Sequence, residues 1–299
     1  MRLWPTWMPH PALVFVVVAW GFNFSIIKIV LAELDASVAA LVRYCVMLPV
    51  LFMACKALSI PLKYPEGQKR RYIFAGFIAN GVYMVFFLEG MQTAGAAQGA
   101  IVLATSPIWI GLFAILKKQE VFTKHLAFGG LLAFAGAVMV IAAGGGEIEG
   151  STQGALLVLI SAVIWAWSVV LMQPLVTSDS PFAVFTLTFP GGLIALLPYG
   201  IKATVETDWS ALKAHTWWAL AYLVLVAGVG SFSAYYKGLA DVGPAKTGMV
   251  QFFIPPSAAF FAWAVFSKPV GAWQIVGMAV VVAGTLVASG RLFEQRATS

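Results

Sequence analysis

Apolar residues run along this chain in blocks of about twenty, broken by short polar segments. Read with a window of about 19 residues, the blocks cover 11–31, 37–58, 72–93, 96–116, 125–143, 154–173, 181–201, 217–239, 244–266 and 271–290. Each approaches the ~20 apolar residues that a helix needs to cross the hydrocarbon core of a bilayer. The pattern predicts an all-α polytopic membrane protein of ten transmembrane helices. Several breaks are very short, as between Thr93 and Ala97. No soluble domain is left over, and the stretch from Arg291 to Ser299 is brief. The first block has one arginine before it and no small-x-small cleavage site after it, and it continues through Phe22, Phe24, Ile26 and Ile27 to Leu31. It reads as an uncleaved first helix rather than a signal peptide.

The ten blocks fall into two matching sets. Gly238–Pro256, GLADVGPAKTGMVQFFIPP, aligns without a gap on Gly90–Pro107, GMQTAGAAQGAIVLATSP, at an offset of 238 − 90 = 148. Gly90 meets Gly238, Gly95 meets Gly243, Ala97 meets Ala245, Val102 meets Val250 and Pro107 meets Pro255. The register continues to Gly129/Gly277 and Gly136/Gly284. This predicts a duplication, with residues 1–147 and 148–299 each supplying five spans. An odd number of spans per copy turns the second copy upside down relative to the first. Inverted repeats of this kind place a substrate site near the membrane midplane, between the halves.

Composition agrees with the lipid setting. The 299 residues are 61% hydrophobic and 10% charged, against the ~25% charge that a water-covered surface needs. The net charge of +6 does not point to nucleic acid, because Lys and Arg cluster between apolar blocks, as at Lys63, Lys69, Arg70 and Arg71 or Lys117, Lys118 and Lys124. That placement is a topology signal, and it predicts both termini on the cytoplasmic side. Lys202, Lys213 and Lys268 form an outer minority, while Glu33, Asp35 and the GGGEIEGSTQ loop supply outer acids. Cys45 and Cys55 are ten positions apart in one span, about 15 Å along a helix and too far for a disulfide between them.

WGFNF at Trp20–Phe24, the Arg43–Tyr44 pair, GMQTAGAAQGAIVLATSP, the IWAWSVV run around Trp165 and the Gly238–Pro256 stretch together resemble the two EamA-type repeats of the drug/metabolite transporter superfamily. The resemblance implies a ten-helix exporter of the bacterial inner membrane working by alternating access, and within the superfamily it is most similar to the aromatic amino-acid exporters. It also implies an acid at the end of the fourth span, a place filled by Glu120, whereas the matching position of the second copy is Lys268.

Candidate chemistry follows from polar groups inside apolar blocks. His10, His125 and His215 lie at span ends or in loops without metal-ligand spacing, and Gly144–Gly146 lacks the Gly-Lys-Ser/Thr of a phosphate loop. No enzyme, metal or cofactor is expected. Lys28 and Arg43 lie toward the outer surface in this topology and are read as snorkelling or paired with Glu33 or Asp35. Glu89 and its repeat equivalent Lys237 are candidate gate residues, and Glu89 is the carboxylate that would couple transport to protons. Gln98, Val102, Thr105 and Trp109 share a helical face in the fourth span, mirrored by Lys246, Val250, Phe253 and Ser257 in the ninth. Asn80, Tyr83 and Phe87 share a face in the third, Ser231 and Tyr235 in the eighth, and Trp20 with Asn23 mirrors Trp165 with Ser168.

The expected cavity is therefore lined by Trp20, Asn23, Asn80, Tyr83, Gln98, Thr105, Trp109, Trp165, Ser168, Tyr235, Lys246 and Phe253, with Pro107 and Pro255 as paired hinges. Rings with amides and hydroxyls suit a flat, largely apolar solute with a polar end: aromatic or neutral amino acids and amphipathic xenobiotics. A carrier of phosphorylated or nucleotide-sugar-like anions would need converging cations, for which Lys246 and Lys237 are the candidates. A non-transporting sensor or scaffold would need an output domain, and none is apparent. The expected partners are the small-molecule substrate and the lipid bilayer, and a monomer would suffice.

Overall fold

A computed structural model describes residues 10–94, 96–143, 151–266 and 270–288. Expectations concerning residues 1–9, Gly95, the 144–150 loop with Glu147 and Glu149, Lys268, and the tail with Arg291 and Arg296 lie outside the described residues.

Lipid offers no hydrogen bonds, so each crossing segment must satisfy its own backbone. Among the described residues every regular element is accordingly helical. The membrane segments are α1 (Pro11–Leu31), α2 (Ala36–Ala57), α3 (Lys69–Thr93), α4 (Ala96–Leu103 continued by Ser106–Leu116), α5 (Lys124–Ala143), α6 (Thr152–Val176), α7 (Pro181–Glu206) and α8 (Ala214–Val242). They are followed by α9, in three pieces (Pro244–Met249, Val250–Phe253, Ile254–Phe266), and α10 (Ala272–Ala288). Eight of these are long and apolar enough to cross a membrane, and α10 is a shorter apolar helix. Large apolar side chains such as Phe15, Phe52, Phe128, Leu131, Ile194 and Trp273 are exposed around the outside, where lipid would cover them.

Short connections are closed by local caps. Asp35 accepts from Ser37 N (2.8 Å) and Ser37 Oγ (2.6 Å) to start α2. Glu120 Oε1 accepts from Ala245 N at the start of α9 (3.4 Å), where a carboxylate suits the positive end of the helix dipole. Gly243 makes the α8–α9 turn at φ +82°, a left-handed conformation that favours glycine.

Helix packing repeats itself. α3 packs on α6 and α7, as α8 packs on α1 and α2; α4 lies against α6, as α9 lies against α1. The pairs α2/α7, α4/α9 and α5/α10 each join a helix to its own repeat partner. The α5/α10 crossing shows the symmetry at the level of single residues. A Cβ on Gly136 would stand 2.6 Å from Val281 N and 2.7 Å from Gly277 O, and one on Gly284 would stand 2.3 Å from Ala133 N and 2.8 Å from Gly129 O. Since 129 + 148 = 277 and 136 + 148 = 284, the 136–277 and 129–284 contacts are one contact seen from both halves. Two helices related in this way run antiparallel about a two-fold axis, the arrangement of an inverted repeat.

Irregular backbone repeats as well. α3 contains a π-helical stretch at Phe77–Val82 and α8 one at Leu225–Gly230; 77 + 148 = 225 and 82 + 148 = 230. α4 breaks at Ala104–Thr105, and α9 tightens to 3₁₀ geometry over Val250–Phe253, the matching place. Pro107 and Pro255 sit in the first turn of the helix that follows each break.

The glycine crossing generates a test. Gly136→Val and Gly284→Val should each lower the unfolding midpoint of the purified protein, an overpacking cost of about 1–3 kcal/mol. Gly130→Ala, where a Cβ would meet nothing within 4 Å, should leave it unchanged.

Candidate functional site

The middles of α1, α3, α6 and α8 meet in a cluster of aromatic rings. Trp20 stacks on Tyr235 with ring centroids 5.4 Å apart and touches Trp165 edge-on at 5.8 Å. Trp165 also packs on Tyr83 (5.1 Å), Tyr235 (5.2 Å) and Phe232 (5.8 Å), and Tyr83 stacks on Phe87 at 5.7 Å. Offset and edge contacts at these distances add to the burial energy of the rings.

The polar atoms of the cluster are placed by the backbone irregularities. Trp20 Nε1 donates to Ala227 O (3.1 Å), inside the π-helical stretch of α8. A π-turn disturbs the regular ladder, and here the indole occupies a carbonyl within that stretch. Trp165 Nε1 donates to Gln251 Oε1 (3.2 Å), which also accepts from Ser106 Oγ (3.2 Å), while Gln251 Nε2 donates to Tyr235 OH (3.0 Å). Gln251 thus ties α9 to α4, α6 and α8 in one buried network.

Beside this network lies a narrow cavity of about 40 Å³, lined by Trp20, Asn23, Arg43, Tyr83, Trp165 and Gln251 together with Phe24, Met84, Phe87, Leu103, Phe232 and Ile254. That volume holds a few waters at most, against the roughly 300–1,000 Å³ of a typical small-molecule site. The geometry is that of a contracted site, between helices of both repeats.

The EamA-like transporter family model matches the chain twice, over residues 8–142 and 152–290. The chain belongs to the EamA-like transporter family. It is similar to the uncharacterized transporter YyaM of Bacillus subtilis strain 168, at 24% identity over 281 residues covering 90% of each chain. It is likewise similar to a probable terminal-alkyne amino-acid exporter of Streptantibioticus cattleyicolor (24%, covering 95% of this chain and 94% of that one) and to a probable amino-acid metabolite efflux pump of Escherichia coli K12 (23%, covering 91% of each). A solved crystal structure of 17% identity superposes with a TM-score of 0.73, over 93% of this chain and 96% of its own, a likeness of fold.

Within this EamA-like frame, the residues expected from the sequence divide. Trp20, Asn23, Tyr83 and Trp165 line the cavity, and Tyr235 packs on two of them. Ser168 is buried behind the cavity and donates to Trp165 O. Asn80 is fully buried between α3 and α7, donating to Thr188 Oγ1 at 3.1 Å. Thr105 and Trp109 bond to each other along α4 (3.2 Å) rather than facing the rings. Gln98, whose buried Oε1 has no partner, is also absent from the lining.

Two placements need correction. Lys246 is exposed at the first turn of α9. Phe253 packs instead against the buried cluster of Ala104, Ala133, Ala137, Phe252 and Val281. The helical-face argument assumed 3.6 residues per turn, and the 3₁₀ stretch at Val250–Phe253 resets the face, bringing Gln251 inward.

Glu89 and Lys237 do not meet. Glu89 accepts from Tyr199 OH of α7, and Lys237 pairs with Asp241 (2.7 Å), which also bonds His10 Nε2 (2.9 Å). Lys28, expected to snorkel or to pair with Glu33 or Asp35, pairs with neither acid; its ammonium donates to the carbonyls of Met91 and Ala94 (2.5 and 2.8 Å) at the end of α3. Arg43 is neither at a surface nor paired with Glu33 or Asp35: it is only 3% exposed and lines the cavity. Sequence reasoning passed over Gln251 although it is an amide inside an apolar span, a signal that lipid makes costly.

Both ends above and below the cavity are tied between α1 and α8. At one end His10 and Asp241 join the start of α1 to the end of α8. At the other, Glu33 after α1 accepts from Thr216 Oγ1 (2.6 Å) and Lys213 N (3.1 Å) and pairs with Lys213 Nζ (3.2 Å). The Thr216 hydroxyl first, then the Lys213 amide, hold the Glu33 carboxyl down to about 2, from an ordinary value of 4.5. A depressed carboxyl stabilises the fold above its unfolded value and loses that contribution as pH falls toward the folded value. Glu33→Gln should therefore lower the unfolding midpoint at pH 7, with the gap to the natural protein narrowing as pH falls below 4.5 toward 2. Midpoints recorded for both proteins across pH 7 to 3 check this, and a gap constant with pH would contradict it.

Proposed function

We propose that this EamA-family protein is a secondary exporter of small amphipathic solutes, with aromatic and other neutral amino acids and amphipathic xenobiotics as its cargo. The observation that carries this reading is the aromatic cavity shared by the two repeats at mid-span, where Trp20, Tyr83, Trp165 and Phe232 enclose a few polar groups. Flat apolar solutes gain ring contacts there, and an ammonium group can lie against the ring faces. The amino-acid exporter and efflux-pump names borne by two relatives support the same cargo.

The proposed working cycle is alternating access, in which five-helix repeats at 1–147 and 148–299 open the cavity to one side at a time, with Pro107 and Pro255 as hinges. The distribution of Lys and Arg supports cytoplasmic termini and, with the family, a bacterial inner membrane. Proton coupling has little support at the cavity itself: no carboxylate among the described residues lines it, and Glu89 is engaged with Tyr199. A phosphate-anion carrier has less support than amino-acid export, because Arg43 stands alone as a cavity cation among the described residues, Lys246 being exposed and Lys237 bound to Asp241.

Purified protein in liposomes, offered labelled tryptophan, phenylalanine and a sugar phosphate with and without a pH gradient, tests the reading. Flux of the amino acids and none of the sugar phosphate is the expected result; the reverse preference would sink it. Tyr83→Ala and Trp165→Ala should cut amino-acid flux by roughly tenfold, the equivalent of about one lost ring contact with the cargo. Trp109→Ala, off the cavity, should stay within about twofold.

A further inference from the structure

Arg43 is a buried cation without a buried anion. Among the described residues no carboxylate lies within ion-pair distance of it. Its neighbours are Met84 Sδ, 4.0 Å from one terminal nitrogen, and the face of Phe232, whose centroid is 6.0 Å from the guanidinium carbon. Its Nε has no hydrogen-bond partner, and the residue is only 3% exposed. Arg43, Met84 and Phe232 all line the cavity. A second polar group there is also unanswered: Asn23, 8% exposed, has an Oδ1 with no partner.

The fold does not call for a cation at this position. The repeat partner of α2 is α7, which begins 181 − 36 = 145 residues later, at Pro181 against Ala36, and neither Thr188 at that offset nor Gly191 at the 148 of the later spans carries a charge. One half of the molecule thus builds the same helix position without a cation. Removing a charge from water without pairing it is strongly unfavourable, so the guanidinium is best accounted for by an anion that arrives from outside the chain. A planar fork of donors matches a carboxylate.

We propose that Arg43 is the cargo-binding residue that receives the substrate's carboxylate, with Asn23 Oδ1 accepting from its ammonium and the surrounding rings holding its side chain. This rests on the amino-acid reading above and narrows it to solutes carrying a free carboxylate. One guanidinium balances one negative charge, and this sets a monocarboxylate apart from a phosphorylated dianion.

The test is ligand-induced stabilisation of the full-length purified protein, using L-phenylalanine, 3-phenylpropionate, L-phenylalaninamide and phenethylamine as probes. The two carboxylates should raise the unfolding midpoint of the natural protein at concentrations at least about tenfold lower than the amide and the amine require. In Arg43→Met that preference should shrink below about twofold, and Arg43→Lys should keep part of it. Without ligand, Arg43→Met should unfold no earlier than the natural protein, because it removes an unpaired buried charge; a purely structural arginine would give an earlier midpoint and an unaltered preference. No carboxylate preference in the natural protein, or the same preference in Arg43→Met, would overturn the assignment. If carboxylate preference holds in binding but liposomes show no phenylalanine flux, the amino-acid export reading fails while Arg43 remains the anchor.

Discussion

Lipid leaves a crossing chain no external partner for its backbone, and this constraint shapes both the scaffold and the site. Most of each span meets it with regular helix. Among the described residues, departures from α-helical geometry within the spans come in two pairs: the π-helical stretches of α3 and α8, and the breaks in α4 and α9. Two of these fall beside the cavity network, and groups inside them are re-engaged there. Ala227 O takes the Trp20 indole, Val226 O takes the Ser231 hydroxyl at 2.8 Å, and Gln251 leaves the 3₁₀ stretch to bind three other helices. Irregular backbone thus adds polar partners beside a cavity that aromatic and aliphatic side chains mostly line.

The same constraint explains what could be read in advance. The ten spans and the 148-residue register follow from block length and from glycines, whose close helix contacts now account for their spacing. The aromatic members of the site, Trp20, Tyr83, Trp165 and Tyr235, were legible because they lie in regular helix or share a repeat position. The errors cluster where helix geometry departs from 3.6 residues per turn. Thr105, Trp109 and Phe253 were put on a cavity face by counting through a break, and the count hid Gln251 two residues from Phe253. Arg43 departs from its expected place for another reason: distance from a span end does not measure depth where α2 is packed against α7 and α8.

Duplication gives a symmetric shell, and divergence gives it a chemical direction. Leu103 and Gln251 are equivalent positions, as are Met84 and Phe232, and all four line the cavity. Three of the four are apolar, so the amide of Gln251 enters from one repeat alone. Arg43, with no cation at the matching place of α7, is the same kind of difference, with the charged group in the other repeat. An inverted pair that kept its symmetry would present matching groups to either end of a bound solute. In its proposed role as anchor, Arg43 without a counterpart breaks that equivalence and would give a solute with one charged end one preferred orientation.

Asymmetry extends to the ends of the bundle. α1 and α8 are joined at both extremities, through His10–Asp241 at one and Glu33 with Lys213 and Thr216 at the other. Gly238 lets α8 lie directly on Leu13 of α1, and its equivalent Gly90 lets α3 lie on Val158 of α6. Two helix pairs, α1/α8 and α3/α6, therefore face each other across the rings, with Trp20 and Trp165 at their junction. Enlarging a 40 Å³ cavity to hold a small organic solute would mean separating these pairs. At the Glu33 end that separation must break the two bonds from Lys28 of α1 to the last turn of α3. Because Lys28 binds carbonyls rather than a carboxylate, breaking those bonds leaves no anion stranded on α3, and a helix end close to water can rehydrate both partners.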